Sequence, residues 1–160
     1  HAPPDMEEYM NTTAAGLLRW AERLGVTVGK VAESILAEKA GLPRSAFLSF
    51  MNSSVMGSVF SRYKTPALVN LDWTTTFTPY LLRKDLDLGL EMGRKLEVPM
   101  PVATTTRDVL QTHMGLGAAP GSDYLEKDFS TLLEHEARCS GMKLDPEGIE
   151  VWDGLSPQQK

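Results

Sequence analysis

From Thr13 to Ala40 the stretch "TAAGLLRWAERLGVTVGKVAESILAEKA" places Leu17, Ala21, Leu24, Val28, Val31 and Ile35 at alternating spacings of four and three. That period stacks them on one face of a helix and predicts a single long one. A second stripe through Leu18, Ala32 and Leu36 widens the apolar face. A face that broad belongs in the middle of a bundle or against a second subunit. The centre, "GVTVG", is poor helix chemistry, at about 0.5–1 kcal/mol for each glycine. The stripe nevertheless crosses it in phase, and Gly41 is expected to end the helix from the C′ position.

The later pattern is helical too. A short helix is predicted from near Pro43, with Phe47, Leu48, Phe50 and Met51 as its apolar side and "NSS" as its end. A weaker helix is expected over Val55–Tyr63, followed by a Thr-rich loop, "LVNLDWTTTFT", carrying Trp73 and Phe77. Pro79 opens an amphipathic helix, "YLLRKDLDLGLEMGRK". The segment after Pro99 and Pro101 restarts as a helix that buries Val109, Leu110 and Met114 and stops at Gly115/Gly117. The spacing of Asp123 and Glu126 suits a capping box for a last core helix closed by Gly141. No alternating strand series and no repeat emerges, so the expectation is all-α: a bundle of about five to seven helices built on the long first one. Residues 1–12 read as an extension, 13–144 as one helical domain, and 145–160 as an irregular tail.

A length of 160 residues suits one domain with a real core. The net charge of −5 gives no electrostatic reason to expect nucleic acid or an anionic membrane. A single cysteine, Cys139, cannot make an internal disulfide, which fits a reducing, cytoplasmic compartment. No apolar run approaches the ~20 residues that span a bilayer, and the N-terminus lacks the layout of a signal peptide. A chain that starts with His reads as a piece of a longer protein.

The chemistry-bearing motifs are few. There is no GxGxxG, no GxxxxGK[ST], no CxxC and no HExxH. His135 and Cys139 lie four apart on a helix, but two ligands make no zinc site, so no metal is expected. His113, just before a glycine stop, reads as a helix-end cation suited to the negative dipole. The helix after Pro79 is the most informative. Leu82, Leu86, Leu90 and Gly93 share one face, while Lys84, Leu88 and Glu91 lie on another, with Glu91 able to pair with Lys95. Composition alone reads Lys84 and Asp85 as part of a solvated charged face.

Three stretches, "VAESILAEKAGLP" (31–43), "FTPYLLRKDLDLGLEMGRKLEVPMPV" (77–102) and "GLGAAPGSDYLEKDFSTLL" (115–133), together resemble the C-terminal helical domain of the β-hydroxyacid dehydrogenases. That group includes 3-hydroxyisobutyrate dehydrogenase and is related to 6-phosphogluconate dehydrogenase. The resemblance covers most of residues 14–135, and its most specific element is the Lys-Asp-Leu segment with the P-x-P after it. It implies a separate Rossmann domain that binds NAD or NADP, with the helical domain closing the cleft and forming a homodimer through the long first helix. It gives Lys84 a contact with the cofactor and substrate region, and puts Asp85, Phe77 and Trp73 at the substrate pocket, Asp85 holding Lys84 or a neighbouring backbone and Phe77 and Trp73 lining the apolar wall. A small 3-hydroxy acid is the implied substrate.

The family's catalytic lysine falls sixteen residues before the position of Glu33, with an asparagine one turn later; here those positions hold Leu17 and Ala21. Neither can transfer a proton. The expectation is therefore a dehydrogenase half without its Rossmann domain, inactive and without bound cofactor on its own. Two alternatives stand beside it: a non-catalytic dimerisation or interaction module of the same fold, and a free-standing ligand-binding bundle using "WTTTFTPY" as a pocket wall.

Overall fold

The structure, a computed structural model, describes residues 28–155. Among them are six α-helices, one 3-10 turn and no strand. Helix α1 comprises residues 28–39. Its end is a Schellman motif: the Gly41 N–H donates to the Glu38 carbonyl and the Leu42 N–H to the Ala37 carbonyl, both at 3.0 Å. Gly41 sits at φ +91°, where a side chain would be strained. Val31 and Ile35 are buried and Val28 half-buried, whereas Ala32 and Leu36 face outward, Leu36 being 70% exposed. Among the described residues, the first apolar stripe therefore packs inward and the second faces outward. The predicted helical residues 13–27 lie outside the described residues.

Helix α2 (Arg44–Ser53) starts after Pro43 as expected. Leu48 is buried and Phe47 and Met51 are half-buried, but Phe50 is turned to the surface at 69% exposure. α2 buries the side that carries Arg44 and Leu48, and Phe50, two residues past Leu48, falls on the opposite side of the helix. The next helix is shifted from its predicted place. α3 runs Val59–Asn70, not Val55–Tyr63, and takes in part of the stretch read as loop. Ser58 and Ser61 form a capping box that fixes the start. The interior Pro66 does not stop it, because buried Leu68 and Val69 hold the last turn in the core.

Helices α4 (Pro79–Lys95) and α5 (Pro101–Gly117) form a hairpin in which each begins on a proline. Leu82, Leu86, Gly89 and Gly93 bury one side of α4 against Ala103, Leu110 and Met114 of α5. The turn is tight. A Cβ at Gly93 would lie 2.7 Å from the Met100 side chain, and the Gly93 carbonyl accepts the Val98 N–H at 2.9 Å.

The last helix also starts later than its pattern predicts. Residues 122–128 are irregular, Phe129–Thr131 form a 3-10 turn, and α6 spans only Leu132–Cys139. Asp123 does not cap this helix; it pairs with Lys127 at 2.9 Å, and Asp128 caps the 3-10 turn by accepting the Ser130 N–H. The competing demand on Asp128, described below, holds this stretch out of a helix.

Two apolar clusters make the core. One joins Val31 and Ile35 of α1, Leu48, Leu68, Val69 and Trp73 to Leu132, Leu133, Ala137 and Leu144; the other is the α4–α5 seam closed by Phe129. The tail has no regular structure but is pinned. The Glu147 carboxylate accepts the Ser45 N–H, buried Arg44 donates to the Val69 and Asp145 carbonyls, and Asn70 exchanges hydrogen bonds with the Ile149 backbone.

Candidate functional site

The side of α4 opposite its buried seam is exposed and partly apolar. Thr78 caps the helix by accepting the Leu81 N–H, and Pro79 fills the first position, so Lys84 falls in the second turn. Its ammonium pairs with the Asp85 carboxylate at 3.0 Å, with side-chain exposures of 61% and 17%. Around Lys84, at i−4, i−3 and i+4, stand Tyr80, Leu81 and Leu88, each between 44% and 49% exposed. Three large, half-exposed side chains thus share this face of the helix with one cation. Arg83 flanks it, lying 5.6 Å from the Tyr80 ring and donating to Gln111 of α5. Farther along the helix Glu91 and Lys95 pair at 2.7 Å.

Phe77 is half-buried in the α4–α5 cluster and meets Phe129 edge-on, with ring centroids 6.4 Å apart. Trp73 is buried in the other cluster, and its indole N–H donates to Glu134 at 2.9 Å. The structure thus brings Lys84 and Asp85 together. Phe77 stands just before the helix start, whereas Trp73, in the same loop, is buried in the other cluster.

A buried ion pair lies at the base of this loop. Lys64 Nζ is 2.9 and 2.8 Å from the two Asp128 oxygens and 2.7 Å from the Thr76 hydroxyl, with both charged side chains almost fully buried. Asp128 also accepts from the backbone N–H groups of Thr76, Phe77 and Ser130 and from the Thr76 and Ser130 hydroxyls. Burial alone would raise its pKa, but the hydrogen bonds from Lys64 and Ser130 and the Lys64 charge carry it below the ordinary carboxylate value. The Lys64 stem runs between aromatic faces, its ammonium 5.2 Å from the Tyr63 ring centre and 5.0 Å from that of Phe129. Sequence reasoning missed this pair. The signal was present: Phe60, Lys64 and Leu68 are spaced i, i+4, i+8, which places the lysine in register with the buried face of α3.

His113 is not a surface helix-end cation. It is 1% exposed, its Nε2 lies 3.0 Å from the Thr131 hydroxyl, and its ring is 5.6 Å from that of His135. Desolvation, together with the neighbouring His135, pushes its pKa down to about 4, so it is neutral and the dipole argument does not apply. His135 does approach Cys139, at 3.6 Å, but no group of three or more His, Cys, Asp or Glu gathers as a metal site among the described residues. Tyr124 bridges Glu134 and Arg138 through its hydroxyl.

A groove of about 620 Å³ runs between α2, α3 and the tail, lined by Ser45, Ser49, Asn52, Arg62, Thr65 and Trp152 among others. Its polar groups are largely spent on one another: Asn52 binds Thr65 and Ser61, Ser53 binds the Ser49 carbonyl, and Arg62 donates to the Asn52 carbonyl. A second, closed void of about 10 Å³ lies against Lys64, Leu82 and Phe129. Neither is lined by Trp73, Phe77 or Lys84.

These features define an all-helical domain with an outward lysine face and no phosphate-cradling loop among its described residues. The chain belongs to the family described as the NAD-binding domain of NADP-dependent 3-hydroxyisobutyrate dehydrogenase, whose model matches residues 24–133. The resemblance to the β-hydroxyacid dehydrogenases therefore holds, over the helical domain. The chain is similar to the 3-hydroxyisobutyrate dehydrogenase of Salmonella typhimurium, with a TM-score of 0.65 and 21% identity over 76% of this chain and 40% of that one. It is similar also to 3-hydroxyisobutyrate dehydrogenase of Mycobacterium tuberculosis, described with L-serine, at a TM-score of 0.65 and 18% identity over 76% of this chain and 42% of that one. At these identities the likeness is one of fold. Among curated proteins it is 29% identical over 94 residues to the cytokine-like nuclear factor N-PAC of Aedes aegypti, covering 58% of this chain and 17% of that protein. The chain thus spans less than half the length of the solved structures and a small part of the curated relative.

Proposed function

We propose that this chain is the helical, cleft-closing half of an NAD(P)-dependent β-hydroxyacid dehydrogenase-like oxidoreductase, working with a separate nucleotide-binding domain. The observation that carries the reading is the α4 face: Lys84, largely exposed and held by Asp85, at the centre of Tyr80, Leu81 and Leu88. That donor set fits part of a nicotinamide cofactor. One exposed ammonium can reach a ribose hydroxyl, an amide oxygen or a substrate carboxylate, while the pyrophosphate needs backbone N–H groups that this face does not present. The cofactor, when bound, would give or accept the hydride; the chain's own residues orient, neutralise and exclude water. Lys84 supplies the cation, Asp85 limits its range, Phe77 forms an apolar wall near the start of α4, and Trp73, buried in the neighbouring cluster, anchors the loop that carries Phe77. A small 3-hydroxy carboxylate is the substrate class, consistent with L-serine in the Mycobacterium protein, since serine is itself one.

The exposure of Ala32 and Leu36 on α1 supports a homodimer through this helix. An exposed, unpaired Cys139 fits a reducing, cytoplasmic setting. The test joins the chain to its nucleotide-binding domain and measures turnover. Lys84→Ala should lower kcat/KM by at least ~10-fold with the melting temperature almost unchanged. Unchanged kcat/KM would overturn the assignment of Lys84.

A second reading is a non-catalytic module of the same fold. It is favoured by Leu17 and Ala21 at the positions of the family's lysine and asparagine, and by similarity to a protein named as a nuclear factor. Nicotinamide binding without turnover in the complete protein, or neither, would decide for it. The isolated chain should show no dehydrogenase activity under either reading, and robust turnover would refute both.

A further inference from the structure

The Asp128 carboxylate stands directly behind the point from which α4 starts. Its Oδ2 accepts the N–H groups of Thr76 and Phe77, both at 3.1 Å, and the Thr76 hydroxyl at 2.8 Å. Its Oδ1 accepts the Ser130 N–H at 3.0 Å and hydroxyl at 2.6 Å, and Lys64 binds both oxygens. Groups from α3, the loop and the 3-10 turn therefore converge on one buried acid. A second tie runs alongside, from the Phe129 N–H to the Phe77 carbonyl at 2.9 Å.

Thr76 and Phe77 are the two residues before the N-cap Thr78, so what fixes their backbone fixes the entry of α4. Lys84 lies five residues past Pro79, about 7–8 Å along the axis, and its side chain extends farther. A tilt of ~10° at the cap would move its ammonium by ~1.5 Å. The α4–α5 seam resists such a tilt on the buried side, through Leu82 and Leu86. On the loop side the resistance comes from Asp128.

We infer that Asp128 is a positioning residue for Lys84, acting through the 76–78 segment and itself held in register by Lys64. The inference rests on the reading that Lys84 contacts cofactor or substrate, and it adds to that site a residue 51 positions from Phe77 in the chain. The chemistry asked of Asp128 is that of a fixed acceptor. It is saturated by donors and moves no proton.

The test is a double-mutant cycle in the complete protein, with Lys84→Ala and Asp128→Asn read as kcat/KM. The asparagine keeps the volume but places an amide donor where only donors converge. Asp128→Asn should lower kcat/KM by ~10-fold or more while Lys84 is present, because misplacement of about 1 Å is costly in an oriented site. In the Lys84→Ala background the same change should cost less than about twofold. An equal fold-loss in both backgrounds overturns the inference and leaves the reading of Lys84 intact, since a merely structural Asp128 would act independently. Absence of turnover in the complete protein, or of any effect of Lys84→Ala, overturns both. Should Asp128→Asn not fold, Thr76→Val carries the same cycle: it removes one hydroxyl contact to Asp128, keeps both backbone caps, and should cost about fivefold in the presence of Lys84. Additivity of Thr76→Val with Lys84→Ala is then the overturning result.

Discussion

Lys64→Met is the sharpest perturbation of this molecule, because it removes a buried charge while keeping most of the packed stem. The ammonium makes three contacts of 2.7–2.9 Å, two to Asp128 and one to the Thr76 hydroxyl, and it stands at 4% exposure. Methionine fills the space between Tyr63 and Phe129 but offers Asp128 no donor. Breaking one partner of a buried pair costs about 3–5 kcal/mol, since the remaining charge is left uncompensated. Here Asp128 keeps five other donors, from Thr76, Phe77 and Ser130, which places the expected loss near the lower end, ~3 kcal/mol. Against a typical stability of about 5–15 kcal/mol that is a large fraction. Urea denaturation of the chain, followed by circular dichroism at neutral pH and again near pH 3, measures it. The folded pKa of Asp128 lies below its ordinary 3.8, so its stabilising contribution is full above that value and lost as pH falls through the lower, folded one. Without Lys64 the folded pKa rises, and the acid has less to lose. The gap between wild type and variant should therefore narrow below about pH 4. A neutral-pH loss under ~1 kcal/mol, the scale of an exposed pair, would refute the reasoning, as would a gap that does not change with pH.

Other outcomes rest on single features. His113, with its pKa pushed down to about 4 from 6.5, is less protonated folded than unfolded between those values, so stability should fall as pH drops through that window; His113→Gln should flatten that part of a pH series of melting curves. Leu36→Glu, at a position 70% exposed in the monomer, should leave the helical spectrum intact and shift sedimentation from dimer to monomer, whereas a wild-type monomer at micromolar concentration would end the interface argument. Gly57→Ala should be strongly destabilising by thermal melt, because its Cβ would lie 2.3 Å from the Asn52 carbonyl oxygen, a backbone atom that cannot swing away.

Periodicity was enough for the outline of the fold and poor at its joints. The stripe through Val28, Val31 and Ile35, the prolines that open α4 and α5, and the glycine at 41 each act locally, within a turn or two, and each is legible in the sequence. The misplaced ends have tertiary causes. The helix expected over Val55–Tyr63 runs on to Asn70 because Leu68 and Val69 reach the core, and the Asp123–Glu126 spacing reads as a cap until Asp128 is seen facing Lys64 across 64 positions. His113 turns from cation to buried neutral base for the same reason. Its neighbours, Thr131 and His135, arrive from a later part of the chain.

The two lysines show why one half of the candidate site was readable and the other was not. Lys84 stands in a recognisable local motif, and its surroundings on the helix, Tyr80, Leu81, Asp85 and Leu88, are its sequence neighbours. Its whole environment on the helix is therefore written in one short stretch. Lys64 and Asp128 stand in separate elements, and only folding brings them together. What marks such a pair beforehand is an inconsistency: a lysine in phase with Phe60 and Leu68 on an inward face would cost several kcal/mol if left unpaired. A charge on a buried stripe thus announces that an opposite charge must exist elsewhere in the chain. Among the described acids only one is both almost fully buried and saturated by donors from three elements, and it is the one that fixes the start of α4. The surface that presents Lys84 and the buried charge that orients it are, on this argument, two ends of one device.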